Sequence, residues 1–238
     1  MFLIWEQTFI NHPKFRKHME IKELDNKVHS ELFKILEKDI KEFRPAQVKA
    51  IEAGLLERKN ILVCTPTASG KTLIAEIAAF NGIFNRVGKA IYIVPLKALA
   101  NEKYKEFKKK YGLLANIAIS IGDLDSPETH LNNADVIITT SEKLDSLIRH
   151  HTPWLKYVAT IIIDEIHLLN DTERGPTLEI LITILKQILK AQIIGLSATI
   201  GNPQELADWL EAELVVDDWR PVKLKQGVCL NNEIEFIE

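Results

Sequence analysis

An apolar run, Ile61-Leu-Val-Cys64, passes directly into Thr65-Pro-Thr-Ala-Ser-Gly-Lys-Thr72, and an apolar helical pattern, Leu73 to Phe80, follows at once. Strand, tight loop, helix is the setting a phosphate-binding loop needs. Loop and first-turn N–H groups present partial positive charge to a phosphate. Lys71 adds a full charge with the reach of β- and γ-phosphates, and the Thr72 hydroxyl is an oxygen ligand suited to Mg²⁺. The loop follows G-x-x-x-x-G-K-[ST] with Thr65 in place of the first glycine. The competing reading is an ordinary strand-to-helix turn. The rest of the chain has to separate the two.

A second strong signal lies downstream. Ala159-Thr-Ile-Ile-Ile163 is a continuous β-branched run, as expected of a strand covered on both faces, and it delivers Asp164-Glu-Ile-His167 to its carboxyl end. Two adjacent carboxylates on a buried strand are expensive unless a cation or hydrogen bonds compensate them. Strand neighbours alternate faces, so the two should do separate jobs. One can hold Mg²⁺ while the other polarises an attacking water. The plainer reading is a strand ending in solvent.

Other strands end in polar residues too. Ala90-Ile-Tyr-Ile-Val94 closes at Pro95, before a helix with Ala100, Tyr104, Phe107 and Tyr111 on one face. That spacing makes the aromatics core, and leaves Lys103, Lys105, Lys108, Lys109 and Lys110 as a solvated face. Lys97 differs, because it sits at the strand-to-helix end where α/β sheets keep their sites. Ala115 to Ile121 is closed by Gly122-Asp123, and Asp135 to Thr140 by Ser141-Glu-Lys143, where Ser141 can cap the next helix or contact phosphate. Ala191 to Leu196 ends in Ser197-Ala-Thr199, whose hydroxyls suit sensing of a γ-phosphate or of His167.

Upstream, Leu32, Ile35, Leu36 and Ile40 mark a short amphipathic helix. Phe43-Arg-Pro-Ala-Gln47 then leads into a helical stretch from Val48 to Leu56, with Pro45 suited to its first turn. A glutamine amide can read the N6/N7 edge of adenine, although an exposed helix-start glutamine is the commoner use of Gln47. After Arg174-Gly-Pro176 a helix should turn Leu178, Leu181, Ile182, Leu185, Ile188 and Leu189 inward. Gly201-Asn-Pro203 opens another to Leu210, and Leu214 to Val216 is a last short strand.

Strands alternating with helices, with polar motifs at successive strand ends, predict an α/β fold: a three-layer, mainly parallel sheet with helices on both faces. Its site should line the carboxyl ends of the strands. Composition narrows the class further. The 238 residues are 46% hydrophobic and 26% charged, with net charge −3, so nucleic-acid binding would have to be local. Cys64 and Cys229 cannot make a disulfide framework, and the seven histidines are not at metal-ligand spacings. The Met1-Phe-Leu-Ile-Trp5 run lacks the form of a signal peptide, and no stretch reaches the length of a membrane span. A reducing, cytoplasmic setting is expected. No guanine-reading Asn-Lys-x-Asp or Leu-Ser-Gly-Gly-Gln run occurs, and an acid–acid pair suits an ATPase that activates water better than a kinase.

Together these motifs, from about Glu42 to Val228, resemble the first RecA-like domain of superfamily-two DExH helicases of the Ski-like branch. The similarity is strongest to the archaeal replication-fork repair DNA helicases. It implies a RecA-like P-loop NTPase domain over residues 42–217, a helical N-terminal extension over 1–41 with 1–18 peripheral, and a linker over 218–238 toward a second RecA-like domain. It implies that Phe43, Arg44 and Gln47 recognise adenine and that Pro66, Thr67, Ala68, Ser69, Gly70, Lys71 and Thr72 hold ATP. Thr72 and Asp164 would hold Mg²⁺, Glu165 would activate water, and His167 with Ser197, Ala198 and Thr199 would couple hydrolysis to strand movement.

Pro95, Lys97, Gly122, Asp123, Thr140, Ser141 and Lys143 would grip single-stranded or forked DNA, with Arg174-Gly175 beside that path. Ile121 stands where relatives often carry threonine, which removes one hydroxyl contact. Trp219-Arg-Pro221 resembles the crossing into the second domain, whose arginines would stabilise charge on the γ-phosphate. A 3′-to-5′ DNA helicase motor domain is the reading this implies, nucleoid-associated if archaeal. A stand-alone ATP-binding module and an RNA-remodelling relative share all the same motifs.

Overall fold

The structure, a computed structural model, describes residues 18–122, 129–150, 152–222, 226–230 and 233–237. Asp123 and residues 1–17 of the expected extension lie outside that set. Seven strands, β1 (Ile61–Cys64), β2 (Lys89–Val94), β3 (Ile117–Ser120), β4 (Val136–Thr140), β5 (Val158–Ile163), β6 (Gln192–Ser197) and β7 (Glu213–Val216), form one sheet. They pair in the order β3-β4-β2-β5-β6-β1-β7, and every pairing is parallel. Seven α-helices accompany them: α1 (Ser30–Asp39), α2 (Pro45–Glu52), α3 (Lys71–Phe84), α4 (Lys97–Tyr111), α5 (Ser141–Arg149), α6 (Gly175–Ile188) and α7 (Pro203–Leu210). Beyond the sheet, β8 (Gln226–Leu230) and β9 (Glu233–Ile237) pair as an antiparallel hairpin where the sequence suggested a departing strand.

The three layers follow from strand alternation. On β1, Ile61 and Val63 enter the core beneath α1–α4, while Leu62 and Cys64 enter the core beneath α5–α7. The same split holds on β2, with Ala90, Tyr92 and Val94 on one face and Ile91 and Ile93 on the other. A sheet covered on both sides requires unbroken apolar strands, which explains why the β-branched runs were legible.

Some expectations move. The helix predicted from Val48 begins at Pro45 and ends at Glu52, because the proline itself occupies the first turn. Ile188, expected inward, is 51% exposed, since α6 ends there and the helical period no longer applies. Among the α4 lysines, Lys105, Lys108 and Lys109 are exposed, but Lys103 and Lys110 are half-buried. Lys110 reaches the buried Glu76 at 2.6 Å, and Tyr111 donates to the same carboxylate at 2.7 Å. Residues ahead of α2 also pack inward: Met19, Ile21, Leu24, Val28, Leu32 and Leu36 share the core of α3.

With all seven strands parallel, all carboxyl ends lie on one edge, and the strand order sorts what they carry. The turns after β5, β6 and β1 carry Asp164-Glu165, Ser197-Ala-Thr199 and the Thr65–Thr72 loop. Those after β3, β4 and β2 carry Gly122, Thr140-Ser141 and Pro95 with Lys97. Neighbouring strands are about 4.8 Å apart, so each trio is compact and the two are adjacent.

Candidate nucleotide site and adjoining strand ends

The loop is built by two left-handed residues and a hydroxyl strut. Ala68 has φ 62° and Gly70 has φ 91°, which bend the chain tightly between β1 and α3. At Gly70 a Cβ would lie 2.4 Å from Gln47 Nε2 and 3.2 Å from Arg44 Cδ, so glycine is required by space as well as by φ. Thr65 has no positive φ; it is buried, and its hydroxyl lies 2.7 Å from that of the equally buried Ser69. The residue that departs from the usual loop therefore closes it across the base.

No side chain caps α3, so the Lys71 and Thr72 N–H groups keep the donors an anion would take, while Leu73 N–H bonds the Gly70 carbonyl at 3.2 Å. The Lys71 ammonium donates to the carbonyl of Ser197 at 2.9 Å and of Thr65 at 3.3 Å. Loop and β6 end are thus tied by the residue that carries the charge.

Two of the residues expected to recognise adenine, Gln47 and Arg44, sit against the same loop. Gln47 is buried rather than an exposed helix-start residue, donating to the Gly70 carbonyl at 2.9 Å while its own carbonyl accepts from Arg44 N at 2.9 Å. Arg44 donates to the Ala68 carbonyl at 2.6 Å, and its guanidinium lies 5.4 Å from the Trp219 ring centroid. Lys49 pairs with Asp217 at 2.8 Å, and Asp217 accepts from Trp219 N at 2.8 Å, so the chain leaving β7 is fastened beside the loop. Phe43 is buried core.

The two carboxylates fall in the turn just past β5, where the left-handed backbone at Glu165, not strand alternation, sets their directions. Asp164 is largely buried and accepts from the Tyr92 hydroxyl at 3.0 Å and from Glu165 N at 3.1 Å. Burial raises its carboxyl above the usual range, and the nearby Glu165 charge adds to this; the Tyr92 bond and the Lys103 ammonium oppose it. Burial and then Asp164 raise the Tyr92 hydroxyl well above its ordinary value, which keeps it a donor.

Glu165 adopts φ 52°, a left-handed conformation uncommon for a non-glycine residue, and its side chain remains one-third exposed. His167 Nδ1 faces the Ala198 amide at 3.4 Å and Glu165 Oε2 at 3.3 Å. One is a donor and the other an acceptor, so the protonation state of that nitrogen selects which it engages. Thr72 and Asp164 offer a hydroxyl and a carboxylate, hard oxygen donors that fit Mg²⁺ beside a phosphate cradle.

Two residues here went unread in the sequence. Tyr92 was signalled only by a hydroxyl in an aliphatic strand. Lys103, read as solvated, donates to Thr72 Oγ1 at 3.4 Å and pairs with Glu106 at 2.9 Å. Gly175, noted only within a motif, is where α6 meets the His167 turn: a Cβ would lie 2.2 Å from the Leu169 carbonyl. Gly175→Ala should therefore cost about 1–3 kcal/mol by overpacking. The check is thermal unfolding, where a midpoint within a degree of the unaltered protein would count against this contact.

The second trio of strand ends is more mixed. Lys97 and Gly122 are exposed and Pro95 is half-buried. Thr140 is the cap of α5, accepting from Lys143 N at 3.4 Å, so the cap lies one residue before the Ser141 expected. Lys143 is 2% exposed, because it shares the inward face of α5 with Leu144 and Leu147. Its ammonium is held inside the domain, and the outward residue of the motif is Glu142. Among the described residues no helix is long and apolar enough to cross a membrane.

Comparisons with known proteins agree with this geometry. The DEAD/DEAH box helicase profile matches residues 44–206. Over 205 residues the chain is 56% identical to the ATP-dependent DNA helicase Hel308 of Methanococcus vannielii, covering 83% of this chain and 27% of that protein. It is 58% identical over 207 residues to Hel308 of Methanocaldococcus jannaschii, covering 83% and 17%. With Hel308 of Pyrococcus horikoshii the identity is 50% over 211 residues, covering 88% and 29%. The chain thus spans less than a third of each of these relatives. Among solved structures, the DUF1998 helicase MrfA bound to DNA aligns with TM-score 0.71 at 28% identity, over 81% of this chain and 30% of that one. With the profile covering most of the chain, this chain belongs to the DEAD/DEAH box helicase family.

Proposed function

We propose that this chain is the nucleotide-binding motor domain of an ATP-dependent 3′-to-5′ DNA helicase acting in replication-fork repair, with Mg²⁺ as the metal and a second RecA-like domain as the other wall of its cleft. The observation that carries the reading is the sorting of strand ends: a nucleotide set after β5, β6 and β1 directly beside an exposed set after β3, β4 and β2. The names of the relatives favour DNA over RNA as the strand that is moved.

In this reading Gln47 and Arg44 orient the base from the α2 side. Lys71 exchanges the Thr65 and Ser197 carbonyls for phosphate oxygens, which loosens the tie to β6. Thr72 and Asp164 would hold Mg²⁺, which would supply positive charge against the phosphates. Glu165, one-third exposed on its left-handed backbone, takes the proton of the attacking water. His167 then changes partner between Glu165 and Ala198, carrying the event to β6. Lys97 and the Gly122 turn hold the DNA backbone without reading bases.

The 238-residue chain is expected to bind Mg–ATP and single-stranded DNA, to hydrolyse ATP slowly, and to leave forked duplexes intact. Calorimetry and a strand-displacement assay check this. Efficient unwinding by the purified chain would overturn the need for a second domain.

A further inference from the structure

α4 runs past the nucleotide loop and places a cation beside the Thr72 hydroxyl. Lys103 leaves its helix from a half-buried position, with 14% of its side chain exposed, and donates to the Thr72 hydroxyl at 3.4 Å. The same ammonium pairs with Glu106 at 2.9 Å, one turn along α4, where the carboxylate side chain is 44% exposed. On the other side stands Asp164, largely buried and bonded to Tyr92, and Lys103 is the ammonium whose charge bears on it. Lys71 points elsewhere, to the carbonyls of Thr65 and Ser197.

A buried carboxylate without a cation is costly, and one close to the carboxylate of Glu165 more so. A divalent ion and an ammonium cannot both sit within contact distance of the Thr72 hydroxyl without strong repulsion. The exposed Glu106 already holds the ammonium, so a small rotamer change of one flexible stem can release Thr72 without leaving the charge unpaired.

We propose that Lys103 is the resting cation of the metal position: held by Glu106, it lies on the Thr72 hydroxyl in the nucleotide-free domain, and it lets go of Thr72 while staying on Glu106 when Mg²⁺ enters with nucleotide. This rests on the ATP reading above and assigns a positioning role to a residue outside the motifs. Lys103 thereby opposes premature metal binding and sets how much Mg²⁺ the nucleotide needs. Glu106 acts in the opposite sense, by drawing the ammonium away.

The test is ATP binding to the purified chain by calorimetry across a Mg²⁺ titration, with no turnover measured. Lys103→Met keeps the apolar stem and removes the charge, and should bring half-saturation to a Mg²⁺ concentration roughly tenfold lower, as expected for removing one like charge from a partly buried site. Glu106→Gln removes the carboxylate that keeps the released ammonium and should move it the other way. Lys103→Arg, which keeps the charge, should stay near the unaltered protein. Thermal unfolding confirms that each variant is folded, and Glu106→Gln carries the test if Lys103→Met is not.

Intact ATP binding with the same Mg²⁺ dependence in Lys103→Met and Glu106→Gln overturns the assignment alone. So does a loss of ATP affinity in Lys103→Met that persists at saturating Mg²⁺, which would make Lys103 a phosphate ligand. Failure of the unaltered chain to bind ATP overturns the functional reading itself.

Discussion

Glu165→Gln, placed in a chain that also carries the second motor domain, is expected to retain nucleotide affinity and to lose ATP turnover by about 10²–10⁴-fold, the usual contribution of a general base. Glutamine keeps the shape of the side chain, so the left-handed backbone at this position and the amide bond to Asp164 remain. What disappears is basicity in a side chain that is one-third exposed and therefore open to water. Asp164, with its Tyr92 bond, is untouched, so binding and hydrolysis should separate. Single-turnover hydrolysis beside equilibrium binding checks this. A variant within tenfold of the unaltered rate would move the base elsewhere.

Lys71→Ala should weaken ATP binding by roughly 10–100-fold, since a hydrogen bond to a charged group contributes about 1.5–3 kcal/mol. The change also removes the side-chain tie between the loop and β6, leaving the Thr65 N–H bond to the Ser197 carbonyl at 3.3 Å. Isothermal titration with ATP and Mg²⁺ is the measurement. Affinity within threefold of the unaltered chain would count against the loop as the phosphate site.

The local grammar of this chain was readable where a motif and its element coincide. β1, the Thr65–Thr72 loop and α3 follow one another without a gap, and the Asp164 pair sits where its apolar run stops. Residues whose role depends on a distant partner were harder to read. Gln47 looks like a surface helix start until Gly70, on another segment, comes within 2.9 Å. Lys103 looks solvated on a lysine-rich helix until Thr72 stands beside it. Lys143 shows the converse: a motif suggests surface, but the inward face of α5 takes the side chain. A period of 3.6 tells which residues share a face and says nothing of what the face will meet.

One feature of the sheet bears on how the domain comes into being. Among the described strands β1 pairs with β6 and β7 alone, Ile61 lying opposite Ile194 and Glu213. A ribosome adding about 5–20 residues per second leaves β1 without either neighbour for roughly seven to twenty-seven seconds. During that interval the strand leading into the loop is apolar and unpaired, and the Ser197 carbonyl that Lys71 grips has not yet been made. The nucleotide cradle is encoded early and completed near the end of the domain's synthesis. Nascent chains shorter than β7 therefore carry the loop's sequence without its shape, and their exposed apolar strand is the natural target of chaperones.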